Sequence, residues 1–369
     1  MNKAEQELYM MECLSLADKG GGHVSPNPLV GAVVVKEGRV IGRGYHAFFG
    51  GPHAEVNAIR KCSGSPRGAT LVVNLEPCNH EGKTGPCTDL IKSAGIRRVV
   101  VGMPDPNPMV RGKGIAALRR AGIRVDVGVL REACGKINER FAKFITSQIP
   151  FVAVKVAQSL DGRIAGGAGD PRWITTLSSR KIVHHLRSRY DAVLVGAGTV
   201  IADNPSLNVR HVKGRDPVRI VLDGQLRTSP ASKVYATKKG GRTIIVTTQR
   251  AAAVSKAKVK AFAARGVELL PLRGNSRGVI PPKLVLRALA RLPLASVFVE
   301  GGGQVFAEFL DAGVVDKCYW FIAPRTLGKG IGNSSRSTID SRIAMRRITH
   351  WNIDGDLFIE GYVDQTKGA

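Results

Sequence analysis

An imidazole and two thiols, His53, Cys78 and Cys87, stand where expected strands hand over to expected helices, and this pattern most restricts the fold. His53-Ala54-Glu55 opens a helical pattern over 54–60, just after Pro52. Pro77-Cys78 follows the β-rich run 71–75, and Cys87 precedes a helical stretch over 88–94. Both parts of the motif open helices after strands, so the chain reads as alternating α/β, a sheet covered by helices. Around them the apolar runs 29–35 and 40–45 flank Glu37-Gly38 and predict a hairpin. Strands at 98–102 and 123–127 and helices at 114–121 and 131–146 complete the first set, after an N-terminal amphipathic helix. Pro150 ends that set and the run 151–157 opens a second one. Strands follow near 192–196, 219–222, 243–247, 296–300 and 318–322, with helices near 178–188, 254–264 and 305–312. With 369 residues the chain is too long for one core, and the expected domains are 1–147 and 148–369.

The three ligands suit zinc, because two thiolates and one imidazole leave a fourth tetrahedral position for water. Glu55, two residues from His53, can reach that position without being a ligand and move protons there as general acid and base. This is the division of labour in zinc deaminases that act on cytosine or adenine. A purely structural zinc site would need a fourth protein ligand, and His80 is the nearby candidate.

Bulk properties narrow the classes further. Six cysteines scattered through the chain are too sparse for a disulfide scaffold. No apolar run reaches the roughly 18 residues of a membrane span, and the first twenty residues lack a signal-peptide core. A cytoplasmic location and no membrane partner are therefore expected. The 55 basic against 29 acidic residues give a net charge of +26. Such a surface attracts anions in general, whether nucleic acid, acidic lipid or phosphorylated metabolite.

The residues around the motif carry a closer likeness. Asn27-Pro28-Leu29-Val30-Gly31, Gly50-Gly51-Pro52-His53-Ala54-Glu55 and Leu75-Glu76-Pro77-Cys78-Asn79-His80 resemble the cytidine-deaminase-like superfamily. With eight residues between Cys78 and Cys87, they resemble its bifunctional riboflavin-biosynthesis branch, the RibD family. In the second half, 155–165, Trp173-Ile174-Thr175, 198–205 and Val299-Glu300-Gly301-Gly302-Gly303 resemble that family's reductase domain, which has a dihydrofolate-reductase-like fold. The resemblance implies a three-layer cytidine-deaminase-like domain followed by that reductase domain.

It implies zinc on His53, Cys78 and Cys87, with Glu55 catalytic and Asn27 orienting the pyrimidine or its ribose. It implies NADPH against Ala157, Trp173, Thr199 and Asp203, its phosphates on Gly302, Gly303, Gln304, Val305, Phe306, Ala307 and Glu308. Arg187, Leu207, Arg210 and Glu300 would meet the substrate, a phosphorylated pyrimidine. A glycine-rich turn between a strand and a helix suits phosphate, since free N–H groups at a helix start attract anions; it is not a G-x-G-x-x-G fingerprint. Lys155 and Asp161 fall near this site without a definite role. Pro171 departs from the family, which commonly has serine two residues before the tryptophan; proline offers neither hydroxyl nor N–H. The expected chemistry is removal of the 2-amino group of a phosphoribosylated diaminopyrimidinone, then reduction of the ribosyl group to ribityl. Homo-oligomer formation is left open. The rival readings are a nucleic-acid (tRNA-type) deaminase, disfavoured by few aromatics, and a non-catalytic scaffold, disfavoured because no ligand is lost.

Overall fold

The computed structural model describes residues 1–80, 85–166, 173–236, 241–328, 330–332 and 344–364. Its contacts divide into two compact units, Met1–Gln148 and Ile149–Ala369.

In the first unit the elements run α1 (Lys3–Asp18), β1 (Gly31–Lys36), β2 (Arg39–Tyr45), α2 (Ala54–Arg60), β3 (Thr70–Leu75), α3 (Cys87–Ser93), β4 (Arg98–Met103), α4 (Lys113–Arg120), β5 (Arg124–Val127), α5 (Arg131–Ile137) and α6 (Glu139–Ser147). A capping box starts α1, with Asn2 and Glu5 exchanging backbone-to-side-chain bonds. Glu37 and Gly38, both at positive φ, make the two-residue turn that pairs β1 with β2 antiparallel. The sheet order is β2-β1-β3-β4-β5, with β3, β4 and β5 parallel across their helical crossovers.

Period-two alternation splits this sheet into two apolar faces. Ala32, Val34, Leu71, Val73, Val99 and Val101 pack with Ala54, Ala58, Ile91 and Leu118 of α2, α3 and α4. Val33, Val35, Val72 and Val100 pack with Met10, Cys13 and Leu16 of α1 and Cys134 of α5. Three layers result.

The helix expected over 131–146 is instead two, broken at Asn138. That side chain is buried and turned inward, where its Oδ1 accepts from Leu29 N and its Nδ2 donates to Leu29 O. Bonding to the start of β1 competes with helix continuation.

The second unit runs β6 (Phe151–Ser159), β7 (Arg163–Gly166), α7 (Leu177–Arg189), β8 (Ala192–Gly196), α8 (Ala197–Asp203), β9 (Val218–Leu222), β10 (Thr243–Thr248), α9 (Gln249–Val254), α10 (Lys256–Ala263), β11 (Glu268–Leu272), α11 (Pro282–Ala290), β12 (Ser296–Gly301), α12 (Gly303–Asp311), β13 (Lys317–Ala323), β14 (Gly330–Gly332), β15 (Ala344–Ile353) and β16 (Asp356–Asp364). Nine strands form one sheet, β11-β10-β9-β8-β12-β6-β13-β16-β15. It is parallel from β11 through β13, and β16 and β15 complete it antiparallel. One face packs Val152, Val154, Leu194 and Val297 on α11 and α12; the other packs Ala153, Val193, Phe298 and Phe321 with Val183, Val200 and Phe262 of α7, α8 and α10.

Strand β15 escaped the sequence reading because it lies at the sheet edge with most residues exposed, so it lacks the alternation of a half-buried strand. Helices α8 and α11 were also not expected.

Asn138→Ala should lower the stability of the first unit by about 1–3 kcal/mol, since Leu29 N loses its acceptor in a buried place. Calorimetry should record that loss as an earlier transition for this unit and an unshifted one for the second.

Candidate metal centre and a charged cluster in the second unit

The candidate metal centre lies at the helix-starting ends of the first unit. His53 is the residue before α2, Cys87 is the first residue of α3, and Cys78 sits in the loop that leaves β3. Among the described residues, His53, Cys78 and Cys87 form a group of potential ligands whose donor atoms all lie within 4.8 Å of one another. His53 turns Nδ1 toward both sulfurs, 3.3 Å from Cys87 Sγ and 3.5 Å from Cys78 Sγ. Tetrahedral zinc with ordinary bond lengths puts nitrogen and sulfur ligands about 3.6 Å apart, so the donor set fits this ion. His80 is outside the group, which leaves three protein ligands among the described residues, fewer than a closed structural site has.

Electrostatics points the same way. The hydrogen bond with Cys87 holds the Cys78 thiol down at about 4, and His53 adds to this. Cys87 is pushed up, first by Cys78 and then by burial. The pair thus holds one thiolate and one thiol, and a dication is what allows the second to ionise. Glu55, 3% exposed, is pushed up to about 7 by burial and then by the Cys78 charge, while His53 opposes.

Asn27 is brought to this centre through a residue the sequence reading missed. Its Nδ2 lies 3.1 Å from His46 Nε2, and His46 Nδ1 lies 3.1 Å from Pro52 O. A carbonyl only accepts, so Nδ1 carries the proton and Nε2 accepts from Asn27. This leaves Asn27 Oδ1 as an acceptor. Burial also lowers the His46 pKa, and its ring meets His53 edge-on at 5.6 Å. Glu76, also missed, is a second organiser. Its carboxylate accepts backbone N–H bonds from Asp105, Gly112, Gly114 and Ile115 at 2.9–3.1 Å, tying the Cys78 turn to the loop before α4.

In the second unit, Glu300 at the end of β12 forms a two-pronged ion pair with Arg187 of α7, through Nε and through Nη2 at 2.7 Å. Arg187 Nη1 donates to Asn208 O at 3.0 Å. Arg210 joins the same cluster, its Nη1 on Asn208 Oδ1. Lys155 of β6 feels Glu300, Arg187 and Asp203, and its pKa is lowered chiefly by burial. Leu207 is 3% exposed with φ 52°, so its side chain belongs to the core and only its backbone is left for a ligand.

Thr199 near the start of α8 faces the Gly301-Gly302 turn. A Cβ on Gly302 would come within 3.1 Å of Thr199 Oγ1, and Gly301 has φ 151°, a region closed to larger residues. Helix α12 begins there at Gly303 with no side-chain cap, and Gln304, Val305, Phe306, Ala307 and Glu308 form its first turns. Asp203 ends α8, and Ala157 lies on β6, partly buried against the core. Trp173 is half exposed, with the Arg180 guanidinium 4.9 Å from its ring centre. Asp161 accepts from Ser159 Oγ and from Leu327 and Gly328 N–H, which hold it at about 2. Those bonds make it a turn staple. Pro171 lies outside the described residues.

The sequence pattern described as cytidine and deoxycytidylate deaminase zinc-binding region matches residues 3–103, and that of the RibD C-terminal domain matches residues 150–359. The riboflavin biosynthesis protein RibD of Aquifex aeolicus is 44% identical over 95% of this chain and 96% of that protein. RibD of Escherichia coli is 36% identical over 88% and 89%. A crystal structure of a diaminohydroxyphosphoribosylaminopyrimidine deaminase/5-amino-6-(5-phosphoribosylamino)uracil reductase from Thermotoga maritima is 41% identical, with a TM-score of 0.85 over 98% of this chain and 99% of that one. Acinetobacter baumannii RibD has the same TM-score at 33% identity, covering 98% of this chain and 100% of that one. These similarities bear out the expected fold class, a cytidine-deaminase-like part followed by a dihydrofolate-reductase-like one.

Cys78→Ser and Cys87→Ser should each lose bound zinc in elemental analysis of the purified protein. Cys62→Ser, a cysteine outside the ligand group, should keep a full equivalent.

Proposed function

Because this chain belongs to the RibD family, the bifunctional deaminase and reductase of riboflavin biosynthesis, we propose that its first unit, Met1–Gln148, deaminates and its second, Ile149–Ala369, reduces. The substrate of the first reaction is 2,5-diamino-6-(5-phosphoribosylamino)pyrimidin-4-one, as the name of the Thermotoga relative suggests. That of the second is its product, 5-amino-6-(5-phosphoribosylamino)uracil. The observation that carries the reading is the convergence of His53, Cys78 and Cys87 beside the buried Glu55.

His53, Cys78 and Cys87 would hold the zinc, which would supply Lewis acidity to activate water near neutral pH. Glu55 then does the proton work. It takes a proton from the attacking water and gives one to the departing amine, and its buried carboxyl suits a group that must both hold and release one. Asn27, its amide orientation set by His46, offers Oδ1 to a donor on the pyrimidine or ribose.

In the second unit Ala157, Trp173, Thr199 and Asp203 receive NADPH, with its phosphates at the 302–308 segment, whose N–H groups ahead of Phe306 precede the first bond within α12. NADPH supplies the reducing equivalent, and the chain supplies alignment and charge. Arg187, Arg210, Glu300 and the backbone at Leu207 hold the phosphorylated pyrimidine. A phosphorylated substrate also gives the basic surface a use.

No helix among the described residues is long and apolar enough to cross a membrane. The nucleic-acid reading loses its support to the reductase half, which a tRNA-type deaminase has no need of.

Glu55→Gln should lower deamination by about 10²–10⁴-fold while keeping its zinc. The same variant should oxidise NADPH at the wild-type rate when given the deaminated pyrimidine directly. Unchanged deamination would remove Glu55 from the reaction.

A further inference from the structure

Helix α7 presents a second residue to the substrate cluster besides Arg187. His184 lies three residues before Arg187, hence on the same helix face, and it is 3% exposed. Its Nδ1 is 3.1 Å from Arg210 N. A backbone N–H can only donate, so Nδ1 is the acceptor and the ring proton sits on Nε2. Nε2 in turn lies 3.5 Å from Arg187 Nη1, a donor facing a donor. Arg187, Arg210 and His211 surround the ring with positive or potentially positive groups, and the His211 ring meets it edge-on at 4.6 Å. Together with burial, which acts first, they push the His184 pKa down to about 3. Both the geometry and this environment favour the neutral imidazole with Nδ1 as the acceptor.

The segment after Leu207 is thus fastened to α7 at two points two residues apart. Arg187 Nη1 holds Asn208 O, and His184 Nδ1 holds Arg210 N. On the far side Val209 N donates to Asp216 Oδ1 at 2.7 Å. With the backbone held on both sides at 208–210, the long Arg210 side chain has a fixed root, and Asn208 Oδ1 steadies its guanidinium at 3.2 Å. An exposed arginine otherwise loses much rotamer freedom when it binds an anion.

We propose that His184 is a positioning residue for the reductase half-reaction, holding the Arg210 backbone so that this arginine meets the anionic group of the pyrimidine substrate. The proposal rests on the reading of Arg210 as a substrate residue, and the variants separate the two. His184→Asn can keep an acceptor near the Nδ1 position, whereas His184→Gln moves its polar end to the Nε2 position and His184→Leu removes it. In the full-length enzyme, KM for the phosphorylated uracil substrate should rise about tenfold or more in His184→Gln and His184→Leu, the loss of one charge-assisted anchor. It should stay within about threefold in His184→Asn. The NADPH KM, kcat and the deaminase rate should be unchanged, and the unphosphorylated substrate should not distinguish the variants.

Arg210→Gln should raise the same KM, and adding His184→Gln to it should do little more, because the two act as one unit. An unchanged KM in Arg210→Gln overturns the substrate reading and the proposal with it. A raised KM in Arg210→Gln with wild-type behaviour in His184→Gln overturns the proposal alone. So does an equal loss in all three His184 variants that falls on kcat and thermal stability, the mark of a purely structural residue.

Discussion

A strand packed on both faces has room for polar side chains only where it ends, and both halves of this molecule are organised by that constraint. In the first unit β1, β3 and β4 are buried almost throughout, so their chemistry is displaced to the loops and helix starts beyond them. Cys78 lies past the end of β3, and His46 lies just past β2. In the second unit Glu300 and the glycine turn stand at the end of β12, and Thr199 follows β8. A few polar groups do sit within strands, and two of them serve the ends. Asn74 of β3 ties Gly31 N to Leu29 O, and Lys155 of β6 faces Glu300.

The metal centre shows how such displaced groups acquire function. Two thiols that meet in a buried place share one negative charge, as Cys78 and Cys87 do. A dication placed between them would let both thiols ionise, and it is the kind of ion the proposed deamination needs. Glu55 is lodged in the same apolar surroundings, which raise its proton affinity to the range a proton carrier needs. Burial therefore shifts the proton affinity of Glu55 and of the thiol pair together.

What could be read in advance was whatever depends on local pattern. The apolar runs of the buried strands, the Glu37-Gly38 turn, the helix start at Ala54 and the one expected just after Cys87 all have short-range signals. His53, Glu55, Cys78 and Cys87 could be joined into one site because their residue types are rare in combination. Asn138 broke an expected helix through a partner 109 positions away in sequence, which no window reveals. His46 reaches Asn27 across a hairpin, and His184 reaches Arg210 across α8 and the loop after it. The spacing of His184 to Arg187 on one helix face was the one available hint of the latter. Leu207 illustrates the converse, since a residue named for substrate contact turns out to spend its side chain in the core.

The division of the chain after Gln148 has a consequence at the level of the cell. Two catalysts encoded as one polypeptide are always made in equal numbers, whatever the noise in transcription or translation. A surplus of the first, with its product accumulating for want of the second, cannot arise from unequal synthesis. The ratio of the two activities is then adjusted only through their turnover rates, so selection on one half is felt as a demand on the other.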